Sequence, residues 1–243
     1  MSKTIFIADL HLDKQYPKAV SAFQRYFVGL KGQSIDAVYI LGDLFEYWLG
    51  DDCVDKTSQL IADTLNDYQQ KTDVPVYFIH GNRDFLLGDE YAQRCGMKIL
   101  PELVEIDLYG VKTLVLHGDT LCTDDLDYQH FREKVRSSDW QEKILKLPAW
   151  VRRLKALQMR RKSKKSNANK SDMIMDVAQL SVEKTMRQYS VSQIIHGHTH
   201  RPAIHEFDLD GTIAKRYVVG DWYTQGSALE VSEDSYELIT MDL

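Results

Sequence analysis

Residues 194–200 read Ile194-Ile195-His196-Gly197-His198-Thr199-His200. An apolar run that ends at a glycine flanked by histidines predicts a buried strand leading into a tight turn. Two histidines one residue apart suit metal binding, but they do not complete a site. Four other apolar runs end in residue types that would complete it: Asp9-Leu10-His11, Gly42-Asp43, Gly81-Asn82-Arg83-Asp84 and His117-Gly118-Asp119. We therefore expect five strand ends to meet at one place.

The length and composition of the chain limit the class of protein. Its 243 residues, 44% of them hydrophobic, can bury the core of one α/β domain, so we expect a single domain over residues 1–243. The chain enters directly into a predicted strand with no cleavable leader, and no apolar run approaches the roughly 20 residues of a membrane span. Cys53, Cys95 and Cys122 form no CxxC pair, which argues against a disulfide framework or a thiolate zinc site. These features predict a cytoplasmic protein.

Strands and helices alternate along much of the chain. Strands are predicted at residues 4–8, 37–41, 76–79 and 113–116, and helices at 16–30 and about 55–70. This rhythm predicts parallel strands with right-handed crossovers, in which ligands gather beyond the carboxyl ends of the strands. Strand alternation is expected to send Asp9 and His11 to the same side of the chain.

The C-terminal part of the chain and residues 121–189 depart from this rhythm. Residues 216–219, 227–231 and 236–241 are predicted to be antiparallel strands that close a second sheet, giving a two-sheet core flanked by helices. Residues 121–189 are predicted to be helical throughout, forming an insertion above the strand ends.

The net charge of −6 is unevenly distributed. Residues 143–171 contain eleven Lys and Arg and no Asp or Glu, which leaves about −17 on the rest of the chain. Within this segment, a helix beginning near Pro148 would place apolar side chains on one face and basic ones nearer the other. The apolar set is Trp150, Val151, Leu154 and Leu157, and the basic set is Arg152, Arg153 and Lys155. Contact with a lipid and ordinary core packing explain the apolar stripe equally well.

The residues at the strand ends indicate the chemistry. The candidate ligands are Asp9, His11, Asp43, Asn82, His117, His198 and His200. Oxygen and imidazole ligands without thiolates favour Mn²⁺, Fe²⁺ or Zn²⁺ over a Ca²⁺ cage. We assign Asp43 as a bridge, with Asp9, His11 and His200 on one metal and Asn82, His117 and His198 on the other. Two cations about 3.5–4 Å apart can activate a shared water and neutralise phosphoryl oxygens, which predicts hydrolysis of a phosphoester or phosphoanhydride.

The ordered blocks Asp9-x-His11, Gly42-Asp43, Gly81-Asn82-x-Asp84, His117 and Gly197-His198-x-His200 resemble the calcineurin-like metallophosphoesterases. The resemblance implies a four-layer αββα sandwich, here with a helical cap insertion at residues 121–189. Many members have a histidine where this chain has Arg83, and that histidine can protonate a departing alkoxide. Arginine cannot donate a proton, whereas a departing phosphate monoester with a second pKa near about 6 needs little protonation. Arg83 therefore favours a pyrophosphate bond as the substrate, although it could instead pair with a nearby carboxylate.

Within this family, the blocks around Asp9, Asp43 and Asn82 are most similar to members that hydrolyse UDP-2,3-diacylglucosamine to UMP and 2,3-diacylglucosamine 1-phosphate (lipid X) in lipid A synthesis. The resemblance implies two Mn²⁺ ions, attack at the phosphorus nearer uridine and a cap that receives acyl chains. It implies catalytic roles for Asp43, Asn82, Arg83 and His117. The implied substrate contacts are Asn82, Arg83, Asp125, Ser163, Asn167, Lys170 and His198.

Partners and alternatives follow from the same features. The basic cap could rest on an anionic leaflet, each Lys or Arg contributing about 1 kcal/mol, so we expect a monomer peripherally associated with the cytoplasmic face of the inner membrane. A related enzyme acting on cyclic nucleotides, phosphoproteins or small nucleotides would keep the same metal site. A nuclease is less attractive because the remainder of the chain is acidic, and no nucleic-acid partner is expected. A non-catalytic binding scaffold would be easier to accept if ligand positions were missing.

Overall fold

The computed structural model describes residues 2–167 and 176–243, without the side chains of 162–167. The first half of the chain contains β1 (Lys3–Ile7), α1 (Pro17–Leu30), β2 (Ile35–Ile40), α2 (Lys56–Thr72), β3 (Val76–Phe78), α3 (Asp89–Cys95), β4 (Met97–Ile99), β5 (Leu103–Leu108) and β6 (Val111–Leu116). The second half contains α4 (Leu126–Arg136), α5 (Ser138–Leu145), α6 (Ala149–Asn167), α7 (Gln179–Tyr189), β7 (Gln193–His196), β8 (Ala203–Leu209), β9 (Thr212–Val218), β10 (Gly226–Val231) and β11 (Tyr236–Met241).

The strands form two sheets. The first has six strands in the order β11-β10-β1-β2-β3-β4, and the second has five in the order β5-β6-β7-β9-β8. Strands β1 to β4 are parallel to one another, and so are β6, β7 and β9. Five strands that end in candidate ligands, β1, β2, β3, β6 and β7, therefore lie in the parallel central parts of the two sheets.

Apolar side chains on both faces of β1 show how the layers pack. Ile5 and Ile7 belong to a cluster with residues of α1 and α2, whereas Phe6 contacts residues of the second sheet such as Val115 and Ile195. Because successive side chains of a strand point to opposite faces, β1 is buried on both sides. A third cluster packs α7 on the outer face of the second sheet. The layers are helix, sheet, sheet and helix, which confirms the predicted αββα sandwich.

The prediction that residues 227–231 and 236–241 close the second sheet is wrong. These residues form β10 and β11, and β10 pairs antiparallel with β1 in the first sheet, with Thr4 opposite Val231 and Phe6 opposite Leu229. Of the three predicted C-terminal strands, only the one at residues 216–219 belongs to the second sheet. It overlaps β9, which is parallel to β7 and antiparallel to β8. An apolar strand fits beside either sheet, and its choice of partner depends on chain segments far away in the sequence.

Residues 121–189 form helices wherever the structure describes them outside short connections. Helices α4, α5 and α6 follow β6, whereas α7 packs on the second sheet through Val182 and Met186 and is one of the sandwich's own helices. Within the described ranges, no helix combines the length and apolarity needed to cross a bilayer.

Candidate metal centre

The ends of strands from both sheets are joined by hydrogen bonds beneath the candidate site. The amide of Asp9 donates to the carbonyl of Gly42 at 3.1 Å, and the amide of His11 donates to that of Asp43 at 2.9 Å. In the second sheet, the amide of Gly197 donates to the carbonyl of His117 at 2.9 Å. These bonds hold the loop after β1 to that after β2, and the loop after β6 to that after β7. The amide of His198 donates to Oδ2 of Asp9 at 2.6 Å and joins the two pairs.

Most of the candidate ligands lie at an uncommon backbone conformation. Asp9, His11, Asp43, His198 and His200 have φ of 53°, 48°, 51°, 68° and 56°. This left-handed region costs non-glycine residues about 1–3 kcal/mol and persists where the surroundings enforce it. Asp9 and His11 do lie close together, as predicted. Strand alternation is not the reason, because β1 ends at Ile7 and both residues lie in the loop beyond it.

The first group of ligands consists of Asp9, His11 and His200. One ligand atom from each lies within 4.8 Å of the other two. The Nε2 atom of His200 is 3.3 Å from Nε2 of His11 and 3.3 Å from Oδ1 of Asp9. Asp9 and His11 are buried, and the imidazole of His200 is partly exposed, so the group opens to solvent on the side of His200.

The second group consists of Asn82, His117 and His198. The Oδ1 atom of Asn82 lies 2.9 Å from Nε2 of His117 and 2.9 Å from Nδ1 of His198. The two ring nitrogens are 3.1 Å apart. Three possible ligand atoms from β3, β6 and β7 loops thus face a common point.

The carboxylate of Asp43 lies between the two groups. Its Oδ2 is 3.9 Å from Nε2 of His11 in the first group, and its Oδ1 is 3.9 Å from Nε2 of His117 in the second. Asp9, Asp43 and His117 also form a cluster whose ligand atoms lie within 4.8 Å of one another. One oxygen directed toward each group is the arrangement that a bridging carboxylate requires.

The hydrogen bonds around His117 test whether the site suits a cation. Its Nδ1 lies 2.8 Å from the carbonyl oxygen of Leu41, which can only accept, so Nδ1 carries the proton. In the neutral ring, Nε2 therefore directs a lone pair at Oδ1 of Asn82, which is also an acceptor. The buried Oδ1 of Asp9 lies 3.3 Å from Nε2 of His200 without the geometry of an ordinary hydrogen bond. Facing acceptors repel unless a proton or a cation lies between them, so these residues can hold divalent metal ions.

The protonation states of His198, Asp43 and Asp9 suit metal binding, whereas nearby carboxylates outweigh burial and raise the pKa of His117 and His200. Burial lowers the pKa of His198 to about 3, and the neighbouring His117 adds to this effect, so His198 is neutral at pH 7. Burial raises the pKa of Asp43 to about 6 against the opposing charges of His117 and His11, so Asp43 is mostly ionised at pH 7. Burial acts to raise the pKa of Asp9, but His200 and the other imidazoles hold it well below its ordinary value. Neutral imidazole and ionised carboxylate are the forms that bind cations.

Several residues that support the ligands were missed by sequence reasoning. Glu46 places Oε2 3.2 Å from Nδ1 of His11, and Asp221 places Oδ2 3.4 Å from Nδ1 of His200. The ring of Tyr223 stacks on His11 with centroids 4.7 Å apart. Carboxylates behind histidine ligands fix the ring orientation and raise its basicity. Glu46 lies three residues after Asp43, but no spacing rule points to Asp221 or Tyr223.

The turn after β3 is shaped by Asp84 and Gly81. The buried carboxylate of Asp84 accepts the amide of Gly81 at 2.9 Å and that of Leu44 at 2.7 Å. A Cβ atom on Gly81 would lie 2.1 Å from Oδ1 of Asp43. Any larger residue here would displace the carboxylate that lies between the two groups.

Arg83 is placed beside the same carboxylate. Its amide donates to Oδ1 of Asp43 at 2.8 Å, and its Nε is buried without a hydrogen-bond partner in the described part of the chain. No ion pair within 4.0 Å joins its guanidinium to a carboxylate of the described residues, although His11 and Arg83 oppose the effect of burial and lower the pKa of Glu46. A partly buried arginine next to a candidate metal centre is suited to bind an anion.

The remaining predicted contacts lie around the cap. Asp125 is at the N-terminus of α4, where its side chain accepts the amide of Tyr128 at 3.1 Å. Ser163 and Asn167 lie in α6, and their side chains are outside the described part of the structure, while Lys170 is outside the described residues altogether. The structure therefore brings the seven candidate ligands and Arg83 together. As substrate contacts, Asp125, Ser163, Asn167 and Lys170 stay predictions.

His196 lies close to the ligands but belongs to neither group. Its Nδ1 is 2.8 Å from the carbonyl oxygen of Gly197, and its Nε2 is 3.3 Å from the guanidinium of Arg216. Burial lowers the pKa of His196 to about 4, and Arg216 adds to this effect. The side chain thus supports the Gly197 turn from within the core.

Comparison with known proteins was made on sequence and on structure. Residues 2–202 match the sequence profile of the calcineurin-like phosphoesterases. A UDP-2,3-diacylglucosamine hydrolase of Yersinia pestis bv. Antiqua (strain Angola) is 50% identical over 237 residues, 98% of each chain. The enzyme of the same name from Yersinia enterocolitica serotype O:8 / biotype 1B is 50% identical over 236 residues, 97% of this chain and 98% of its own.

Solved structures resemble the chain at much lower identity. A dimetal phosphatase from Danio rerio has a TM-score of 0.54 at 14% identity, covering 99% of this chain and 96% of its own. An archaeal phosphodiesterase has a TM-score of 0.50 at 11% identity, covering 98% of this chain and 99% of its own. At such identities the likeness concerns the fold alone.

Proposed function

The chain belongs to the calcineurin-like phosphoesterase family, and we propose that it hydrolyses the pyrophosphate bond of UDP-2,3-diacylglucosamine to UMP and lipid X, a step of lipid A synthesis. Relatives that are 50% identical over nearly their whole length are named for hydrolysis of this substrate. The observation that carries the proposal is the buried Nε of Arg83, which has no hydrogen-bond partner in the described part of the chain, in a residue whose backbone amide donates to the Asp43 carboxylate. This arrangement suits a substrate with two linked phosphates.

The residues that would hold two metal ions are the two groups described above. Asp9, His11 and His200 would hold one ion, Asn82, His117 and His198 the other, and Asp43 both. When bound, two divalent cations, Mn²⁺ in this proposal, would lower the pKa of a water molecule and neutralise charge on phosphoryl oxygens. The left-handed turns and the supporting carboxylates Glu46 and Asp221 hold the ligands in place before substrate arrives.

Arg83 determines which leaving group is favoured. A guanidinium is always protonated, so it stabilises anionic oxygens but donates no proton to a leaving group. Attack at the phosphorus nearer uridine expels a sugar 1-phosphate, whose second pKa of about 6 makes it a stable anion at pH 7. An alkoxide leaving group would need a proton that Arg83 does not supply. The site therefore favours a pyrophosphate over an alkyl phosphodiester.

An isotope experiment tests this reaction directly. We expect purified protein with Mn²⁺ and UDP-2,3-diacylglucosamine in ¹⁸O-labelled water to place the label in UMP, as measured by mass spectrometry of both products. Label found only in lipid X would contradict attack at the phosphorus nearer uridine. Faster hydrolysis of a cyclic nucleotide or a phosphoprotein, measured in parallel, would favour a different substrate. A sample treated with a metal chelator serves as the control and should release neither product.

A cavity beside the metal centre is the place we propose for an acyl chain. It has a volume of about 460 Å³. One of its lining residues is Leu12, which follows the candidate ligand His11 in the sequence. Its apolar lining comes from Leu12, Phe45, Trp48, Leu49, Val54 and Trp150. Cavities of this size and polarity are typical of sites for apolar ligands. Charged side chains of both signs also line it, namely Lys14, Arg153, Asp13, Asp52 and Asp55.

We propose that the protein associates peripherally with the anionic cytoplasmic leaflet of the inner membrane. The outer face of α6 supports this proposal. Trp150, Leu154 and Leu157 share this face and are 67%, 53% and 43% exposed. Arg152 points inward instead, where it donates to the carbonyl of Leu49 and pairs with Asp52. The expected helix is thus oriented with its apolar stripe outward, and Arg153, Lys155 and Arg161 are exposed near it. Apolar side chains flanked by basic ones are typical of helices that lie in a bilayer interface.

Vesicle binding tests this orientation of α6. Replacing Leu154 and Leu157 by Ser should weaken binding to phosphatidylglycerol-containing vesicles at least about tenfold, because each such side chain contributes about 1.5–3 kcal/mol when fully buried. Sedimentation with the vesicles measures the bound fraction. The control is Ile213→Ser, which removes an apolar side chain that is 68% exposed on β9. Equal binding by the double variant and the control would contradict a membrane role for α6.

A further inference from the structure

The inner face of α4 presents polar side chains to the metal-bearing loops. Tyr128, Arg132 and Arg136 are spaced four residues apart, so they lie along one face of the helix. Val135 is the buried apolar residue of α4, whereas Lys134 and Glu133 on the other side are exposed. The helix is therefore attached to the sandwich mainly by hydrogen bonds and ion pairs.

The first of these attachments holds the segment after His117. Asp119 is fully buried two residues beyond this ligand, and its Oδ2 accepts Oη of Tyr128 at 2.7 Å and Nε of Arg132 at 2.8 Å. The side-chain amide of Gln129 donates to the backbone carbonyls of Asp119 and Cys122, each at 2.9 Å. Arg132 also pairs with Glu102. Four hydrogen bonds from α4 thus fix the chain where it leaves β6.

The second attachment holds the turn that carries Asn82. The guanidinium of Arg136 donates to the carbonyl of Gly81 at 2.9 Å and lies 3.3 Å from that of His80. The same group lies over the ring of Phe85 at 5.4 Å. Arg136 therefore contacts the chain on both sides of Asn82.

A third contact reaches His198. The rings of Tyr128 and His198 are stacked, with centroids 6.1 Å apart and an angle of 29° between their planes. Every member of the second ligand group is thus contacted by α4 or lies in a loop that α4 holds. In the described part of the chain, no side-chain hydrogen bond, ion pair or ring contact joins α4 to Asp9, His11 or His200.

We propose that Arg132 and Arg136 are positioning residues for the second metal-binding group, so that docking of α4 assembles the site formed by Asn82, His117 and His198. This inference rests on the proposed function, because it takes these residues as ligands of an ion. Arg132 donates to a carboxylate and Arg136 to a backbone carbonyl, so both would act through the loops that they hold. Outer-shell partners of metal ligands typically affect metal affinity 10–100-fold. The effect falls on one ion and spares the other.

Removing the hydrogen bonds of Arg136 should weaken one metal site selectively. We expect Arg136→Met to lower the affinity for one of two Mn²⁺ ions about 10–100-fold and to leave the other unchanged. Equilibrium dialysis of the full-length protein against Mn²⁺ without substrate measures both affinities. Arg136→Lys keeps the charge and can restore one of the two bonds, so its affinity should be intermediate. The matched control is Lys134→Met, which removes a positive charge from the exposed side of the same helix.

The outcomes separate this inference from the proposed function. If the wild-type protein binds two ions and Arg136→Met binds both equally well, the positioning role is wrong while the metal centre stands. Equal weakening of both ions would also contradict the role, because α4 contacts one group. If Arg136→Met fails to fold, as judged by its thermal unfolding, Arg136→Lys carries the test, and unchanged affinity for both ions would again overturn the inference. Wild-type protein that binds no second ion would overturn the proposed metal centre as well.

Discussion

Replacing Asp43 by Asn should lower turnover of UDP-2,3-diacylglucosamine by on the order of 10³-fold, because each factor of ten corresponds to about 1.4 kcal/mol and a metal centre supplies several kcal/mol. The carboxylate places one oxygen 3.9 Å from His11 and the other 3.9 Å from His117. An amide retains one of these oxygens and loses the negative charge between two cations. Steady-state kcat and the Mn²⁺ content of the purified variant measure the two consequences, and both should fall.

The strand that carries Asp43 provides a matched control. Asp36→Asn makes the same chemical change on an exposed residue of β2, away from the carboxyl end of the strand, and should leave kcat and metal content unchanged. Retention of kcat within about twofold in Asp43→Asn would remove this residue from the centre of the site. Loss of activity in both variants would instead indicate a general effect on the strand.

The convergence of the ligands was predictable from sequence because it follows from one rule. Parallel strands of a sheet end at the same edge, so polar residues that directly follow apolar runs gather there. Asp9, Asp43 and Asn82 follow β1, β2 and β3 of one sheet, whereas His117 and His198 follow β6 and β7 of the other. Packing of the two sheets face to face brings these edges together.

Other features depended on information that local patterns lack. Left-handed backbone is uncommon outside glycine, and although Asp and His adopt it more often than most residues, the sequence alone does not predict it at Asp9, His11 or Asp43. There, hydrogen bonds between distant loops enforce it. The antiparallel pairing of β10 with β1 joins residues more than two hundred positions apart. Hydrophobic residues at every second position identify a strand, but they do not show which strand it pairs with.

Helix α6 shows why amphipathicity alone leaves orientation open. The apolar stripe was visible in the sequence, and either this stripe or the opposite side of the helix could have been directed inward. Arg152 reaches the carbonyl of Leu49 and the carboxylate of Asp52, and Arg160 pairs with Glu46. These acceptors belong to the loop after β2, so the inward direction of the arginines depends on partners about a hundred residues away.

Replacing Arg83 by Ala should lower kcat for the pyrophosphate substrate about 10²–10³-fold, which is the typical cost of removing one donor that stabilises developing negative charge. The affinity for Mn²⁺ should change little, because the side chain of Arg83 is not among the candidate ligands and its amide, which donates to Asp43, remains. Kinetics and equilibrium dialysis on the same preparation separate the two effects. Arg94→Ala, which removes an exposed arginine from α3, should have neither effect.

The leaving group provides the sharper test of Arg83. Arg83→His places a group that can donate a proton where the guanidinium stabilises anions, so it should lose activity on UDP-2,3-diacylglucosamine and lose less on an alkyl phosphodiester. The ratio of kcat/KM for the two substrates, measured for wild type, Arg83→His and Arg83→Ala, isolates this contribution. Both variants should shift the ratio toward the alkyl ester, and the histidine variant should shift it further, since alanine removes the charge without supplying a proton donor. The same ratio in all three proteins would mean that Arg83 binds substrate without discriminating between leaving groups, and the preference for a pyrophosphate would then have to reside elsewhere in the site.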